Sequence, residues 1–176
     1  MEEHFDVCTS EGVPTGESLP RSEVHRRGLW HRSAHLWLVN SRHEVLLQRR
    51  HPGKQTDPGR WDIAVAGHLS AGETPLQALV REAREELGLV VDPLTLTALA
   101  PESKQYVEVD FADREWQHPF AGVWNGEPAA LTLQADEVVA VRWMALEEYR
   151  RVVQAGDEHY VGRREDWPAF EAWLKS

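Results

Sequence analysis

The 176-residue chain has one cysteine, Cys8, so no disulfide can close within it. A reducing, cytoplasmic setting is the expectation. No apolar run approaches the roughly 18 residues of a membrane span. The opening MEEHFDV is acidic and lacks the basic-then-apolar plan of a signal peptide. Positive charge is scarce: 19 Lys and Arg stand against 29 Asp and Glu, a formal net charge of -10. That balance argues against general nucleic-acid or membrane partners. An anionic small molecule would then need a local basic cluster, a metal, or both. Repeats and low-complexity tracts are absent as well.

What remains is an ordinary globular composition, 41% hydrophobic and 27% charged, and a length that suits one domain spanning residues 1–176. Residues 1–30 are polar and turn-rich and read as an N-terminal extension packed on that domain. SAHLWLVN (33–40) and EVLLQ (44–48) read as two strands around a turn, and Trp61–Ala66 as another strand-like run. Thr95–Leu99, Tyr106–Val109, Phe120–Trp124 and Val138–Trp143 read as further strands, and Leu146–Gln154 and Trp167–Leu174 as helices. Strands and helices alternate incompletely, which predicts a mixed sheet covered by helices.

Residues 75–87 carry the clearest helix pattern. Thr74 suits the N-cap, Pro75 the first position, Gln77 the return half of a capping box and Gly88 a left-handed stop. Leu76, Leu79, Val80, Ala83 and Leu87 form an apolar stripe at helical spacing. Glu82, Glu85 and Glu86 fall at i, i+3 and i+4 and share another face. Each such like-charge pair costs roughly 0.2–0.5 kcal/mol. A solvated acidic face is one reading. A hard divalent cation, which takes oxygen ligands and would turn that repulsion into attraction, is the other.

The residues before the helix decide between them. Residues 67–89 run Gly67, five residues, Glu73, seven residues, Arg81-Glu82-Ala83, one residue, Glu85-Glu86-Leu87-Gly88-Leu89. This is the Nudix box, G-x5-E-x7-R-E-U-x-E-E-x-G-U, with Ala83 small for its aliphatic slot. The chain therefore resembles the Nudix superfamily. That resemblance implies an α/β/α sandwich with a mixed β-sheet and hydrolysis of a nucleoside diphosphate derivative or a similar organic diphosphate. It implies that Mg²⁺, or Mn²⁺ in its place, is held by Glu82, Glu85, Glu86 and the Gly67 carbonyl. Glu73 and Arg81 would form a buried ion pair that fixes the loop to the helix. Glu82 is the first candidate for the general base, with Asp113 or Glu115 in FADREWQH as downstream alternatives.

A narrower resemblance lies outside the box. GVPTG (12–16), RSEVH (21–25), LWHRSAHLWLVN (29–40), VLLQRR (45–50), Lys54, PGRWD (58–62) and GH (67–68) are together similar to type I isopentenyl-diphosphate isomerase. The likeness implies a metal held by His25, His31 and His68 with Asp113 and Glu115, and a diphosphate gripped by Arg21, Arg50 and Lys54. Trp61 would shape the substrate cleft. One departure is decisive. The isomerase places a catalytic cysteine immediately before Gly-His, and this chain has Ala66, whose methyl carries no exchangeable proton. The isomerase also lacks the full REUxEE run that is intact here. The expectation is a hydrolase on an isomerase-like frame, with isomerase-like activity or a non-catalytic nucleotide sensor as alternatives. Its partner would be a small-molecule diphosphate. A homodimer is the commonest assembly open to it.

Overall fold

The computed structural model describes residues 2–108 and 111–176. Its centre is β3 (Trp30–Val39), a ten-residue strand whose side chains alternate between two buried faces. Leu36 and Leu38 point one way, toward α2 (Pro75–Leu87). Trp37 and Val39 point the other way, toward α3 (Leu146–Ala155) and α4 (Trp167–Leu174). Two hydrophobic cores therefore lie on opposite faces of one sheet. Leu79, Ala83 and Leu87 of α2 fill the first, and in the second Phe170 stacks on Trp37 while Tyr149 meets it edge-on. Each large apolar side chain so buried contributes roughly 1.5–3 kcal/mol. The result is the α/β/α sandwich the sequence predicts.

The sheet runs β10 (Val138–Ala145), β4 (Glu44–Arg50), β3, β9 (Phe111–Val123), β7 (Thr97–Ala98), with β8 (Glu102–Glu108) also on β9. β3 and β9 are parallel over Trp30↔Arg114 to Val39↔Val123, and the other pairings are antiparallel, so the sheet is mixed. β3 and β4 pair only at Val39↔Val45 and then part. The run expected as one strand from Trp61 to Ala66 fills the gap as two. β5 (Trp61–Ile63) pairs with β4, and β6 (Val65–His68) pairs with β3. This divergence opens the sheet beneath the box helix.

The helix signals read from the sequence are present. Thr74 and Gln77 form the reciprocal capping box, worth about 1 kcal/mol, and Gly88 is left-handed at φ 63°. Val80 alone of the stripe stands outside the core, on an outer groove with Leu76 and Pro93.

Three elements went unread. The N-terminal extension contains a hairpin of β1 (His4–Cys8) and β2 (Pro14–Pro20), then α1 (Arg21–Arg27). β9 is also far longer than Phe120–Trp124, because its first half, FADREWQH, is polar yet half-buried. The strand predicted at Tyr106–Val109 begins earlier, within β8, and Val109 lies outside the described residues. Thr95–Leu99 reduces to a 3-10 turn and the two-residue β7. Among the described residues no helix is long and apolar enough to cross a membrane.

Candidate catalytic site

The first residue of the box sets the approach of the helix. A Cβ on Gly67 would lie 2.6 Å from Glu82 Cδ, so only glycine lets this carboxylate pack against β6. Arg81 then ties loop to helix. Its Nε and Nη2 each donate to Glu73 at 2.8 Å, Nη2 also donates to the His68 carbonyl at 3.2 Å, and Nη1 donates to Glu82 at 2.7 Å and Glu85 at 3.2 Å. Glu73 accepts in turn from the Ser70 amide. The Glu73–Arg81 pair is thus formed as expected, but half-buried rather than buried. Beside Arg81, Glu73 is held below the usual carboxylate range.

The three box glutamates do not share one environment. Glu85 is more than half exposed, at the rim. Glu82 is half-buried, and Glu86 is buried at 7% exposure, where Gln48 of β4 donates to it at 3.1 Å. Burial raises Glu82. Burial, with the charge of Glu82 added, pushes Glu86 up to about 8. Carboxyls raised by burial are stabilised in their charged form by any cation brought beside them. They line a chamber of about 280 Å³ with Gly67, His68, Arg21, Arg50 and Lys54.

The cationic candidates are at the same chamber but already engaged. Lys54 pairs with Glu137, Arg50 donates to the Thr56 carbonyl and lies 3.7 Å from buried Asp62, and Arg21 lies 3.6 Å from Glu3. Trp61 lines neither this chamber nor its neighbour. It packs into the core with α4 and carries the Arg142 guanidinium 4.2 Å above its ring.

The histidines converge. His25 from α1, His31 from β3, His68 from β6 and Asp113 from β9 bring one ligand atom each within 4.8 Å of one another. Asp113 Oδ1 lies 3.2 Å from His31 Nε2, 3.7 Å from His25 Nε2 and 3.9 Å from His68 Nε2, and Glu115 lies 3.0 Å from His68. Asp113 and Glu115 therefore sit on a strand and point inward. The three Nε2 atoms and Asp113 Oδ1 are buried without a hydrogen-bond partner. His31 Nδ1 lies 3.2 Å from the Leu29 carbonyl, which fits Nε2 as a free acceptor. Burial, then His31 and His68, lowers His25 to about 4, so it is neutral at pH 7. Burial alone would lower His68, but the adjacent carboxylates of Asp113 and Glu115 outweigh it and raise His68 to about 9. Those two carboxyls resist burial and are held well below their ordinary values through His31 and His68. The donor set suits a divalent ion that accepts imidazole.

A second chamber, about 300 Å³, shares Arg50, Thr56, Ala66, His68 and Asp113 with the first and continues to Tyr106, Lys104 and Arg163. Ala66 stands at the passage. The buried network behind it went unread: Arg163 donates to Asp62 at 2.8 and 2.5 Å, and His35 Nδ1 lies 2.7 Å from Asp166. Glu3, Gln48 and Glu137 were missed too. Each lies far in sequence from the partner that gives it a role.

A sequence model of the NUDIX domain matches residues 29–163. The chain belongs to the Nudix hydrolase family. Among its relatives, Nudix hydrolase 3 of Arabidopsis thaliana is 41% identical over 165 residues, 91% of this chain but 21% of that longer protein. An isopentenyl-diphosphate Delta-isomerase of Escherichia coli is 31% identical over 161 residues, 87% of this chain and 82% of the enzyme. The crystal structure of DR0079 from Deinococcus radiodurans superposes with a TM-score of 0.71 at 22% identity, covering 94% of this chain and 96% of the other, which shows a shared fold. Nudix hydrolases in general need divalent metal, and this Nudix chain has a group of residues able to hold one.

Proposed function

We propose that this Nudix protein hydrolyses the diphosphate linkage of a small organic diphosphate, a nucleoside diphosphate derivative or similar compound, with Mg²⁺, or Mn²⁺ in its place. The observation that carries the reading is the pair of half-buried Glu82 and buried Glu86, which line the chamber wall with Gly67, with Glu86 pushed up to about 8. Glu82, Glu86 and the Gly67 carbonyl would hold the cation, with Glu85 joining from the rim. A bound divalent ion neutralises diphosphate oxygens and lowers the pKa of a water.

The chain's own groups supply the rest. Glu82 is the general base, oriented by Arg81. Arg50 and Lys54 grip phosphate oxygens, the first as a planar fork and the second as a point charge, and Arg21 adds a third cation at the mouth. Each already lies beside a fixed carboxylate or carbonyl, so substrate binding exchanges partners and needs no new charge. Glu73 and Arg81 position, and do not touch substrate. Residues 1–176 act as one domain in the cytoplasm, as a monomer or a homodimer.

A panel of organic diphosphates incubated with Mg²⁺ and with Mn²⁺, read by released phosphate and monophosphate product, tests this. Hydrolysis of one panel member that disappears in Glu86→Gln supports the reading. Full activity of Glu86→Gln sinks it.

A second reading, isomerisation of an isoprenoid diphosphate, draws on the histidine cluster and the Escherichia coli relative. Ala66 counts against it, because the group expected to move a proton there has none to move. Proton NMR of isopentenyl diphosphate with the enzyme separates the two. A dimethylallyl signal without phosphate release favours isomerisation.

A further inference from the structure

The matched family region begins at residue 29, yet a side chain from β1 lies at the centre of the histidine cluster. Phe5 is fully buried. Its ring is stacked on His31, with centroids 5.1 Å apart and planes 15° apart, and on His68 at 4.8 Å and 29°. His25 meets it edge-on at 5.9 Å and 75°. Arg21, from the start of α1, places its guanidinium 5.8 Å from the ring centroid. One aromatic ring thus touches every imidazole of the cluster.

β1 is itself locked to the box loop. Three consecutive loop residues donate to it and to the residue before it: Ser70 Oγ to Glu3 at 2.9 Å, the Ala71 amide to the His4 carbonyl at 2.8 Å, and the Gly72 amide to Asp6 at 2.7 Å. Val24, Leu19 and Leu29 close around Phe5 from α1, β2 and the α1–β3 turn. The ring is therefore fixed relative to the loop on one side and to His25 on the other.

We propose that Phe5 is a positioning residue for the histidine site. Histidines that hold a metal are usually aimed by a hydrogen bond at the other ring nitrogen, and removing such support costs 10–100-fold in affinity. His31 has one such contact, to the Leu29 carbonyl. The feature common to all three rings is the Phe5 surface, whose preferred stacked and edge-on contacts restrict their planes and hold three Nε2 atoms toward Asp113. An aliphatic residue of similar bulk fills the volume but has no flat face to set those planes. The proposal rests on reading the cluster as a metal site, and the experiment tests the two separately.

The probe is Co²⁺, titrated into metal-free full-length protein and followed by visible absorption. Wild type gives ligand-field bands that His31→Ala abolishes. If wild type shows no His31-dependent bands, the metal reading fails and the proposal with it. With those bands in hand, Phe5→Leu binds Co²⁺ about tenfold more weakly and with altered band intensities. Val7→Ala, a buried change on the same strand and outside the ring stack, stays within about twofold of wild type. Should Phe5→Leu fail to fold by circular dichroism, Phe5→Met, flexible enough to fill the same space, takes its place with the same expected loss. Wild-type affinity and spectrum in the folded Phe5 variant overturn the proposal, as does an equal loss in Val7→Ala.

Discussion

The two halves of this site are built on opposite plans. The glutamate half comes almost entirely from residues 67–86, a loop and a helix in sequence. The histidine half gathers His25, His31, His68 and Asp113 from α1, β3, β6 and β9. Their electrostatics differ in the same way. In the first, Arg81 faces Glu82 but no ion pair reaches Glu86 among the described residues, and burial raises both, Glu86 to about 8. In the second, carboxyls face imidazoles and are pulled down, while His68 is raised to about 9. A local motif thus makes a pocket short of positive charge, and an assembled cluster makes one already partly balanced. The first has more to gain from a hard dication.

Four experiments probe that contrast. The largest effect belongs to Glu86→Gln. Metal stabilisation of several kcal/mol, at about 1.4 kcal/mol per tenfold, predicts a fall in kcat on the order of 10³-fold. An unchanged Co²⁺ spectrum at the histidines in that variant would keep the halves distinct, and a lost spectrum would merge them. Next comes Gly67→Ala. Its methyl has to displace Glu82 from 2.6 Å, and misplacement by about 1 Å costs about 10²-fold in rate. Steady-state kinetics with near-normal thermal stability is the outcome to look for. Glu115→Gln, removing the carboxylate 3.0 Å from His68, weakens Co²⁺ binding about tenfold and leaves hydrolysis the less affected quantity. Isothermal titration beside kinetics reads both.

The smallest effect is on pH. Glu86 is raised in the folded state from 4.5 to about 8, so its contribution to metal-free stability is present below pH 4.5 and lost as pH rises through 8. His68, raised from 6.5 to about 9, acts in the same direction over that higher window. Asp113 and Glu115, held low, stabilise above their ordinary pKa and lose that contribution as pH falls. Thermal stability in chelator should therefore fall from about pH 6.5, above which His25 is neutral in both states, to pH 9, less steeply in Glu86→Gln. Mg²⁺ affinity should rise over the same range, because the ion displaces the Glu86 proton. A flat profile would refute the charge-deficit account of the glutamate half.

Legibility follows the same division. Thr74, Pro75, Gln77 and Gly88 act on neighbours within a few residues, so the helix and its carboxylates could be read directly. The histidine cluster could be suggested only through resemblance, since no spacing rule joins residue 25 to residue 113. FADREWQH hid its strand because site chemistry replaced the apolar alternation by which strands are recognised. The hairpin of residues 4–20 hid for another reason. β2 is largely exposed, and the inward Phe5 and Val7 are too few to make a pattern. Trp61 is expected at the cleft from its place just before the box, but its ring, partly buried, packs against the core on the α3 and α4 side.

His68 belongs to both halves through different atoms, and the asymmetry has a consequence for divergence within the family. Its imidazole serves the cluster, whereas the oxygen that anchors Arg81 is backbone and would be offered by any residue there. A single codon change can therefore retire the imidazole compartment while the glutamate compartment keeps its brace. Losing Arg81 acts on the other compartment: β6 stays paired with β3 at Ser33, while Glu82 and Glu73 lose the guanidinium that joins them.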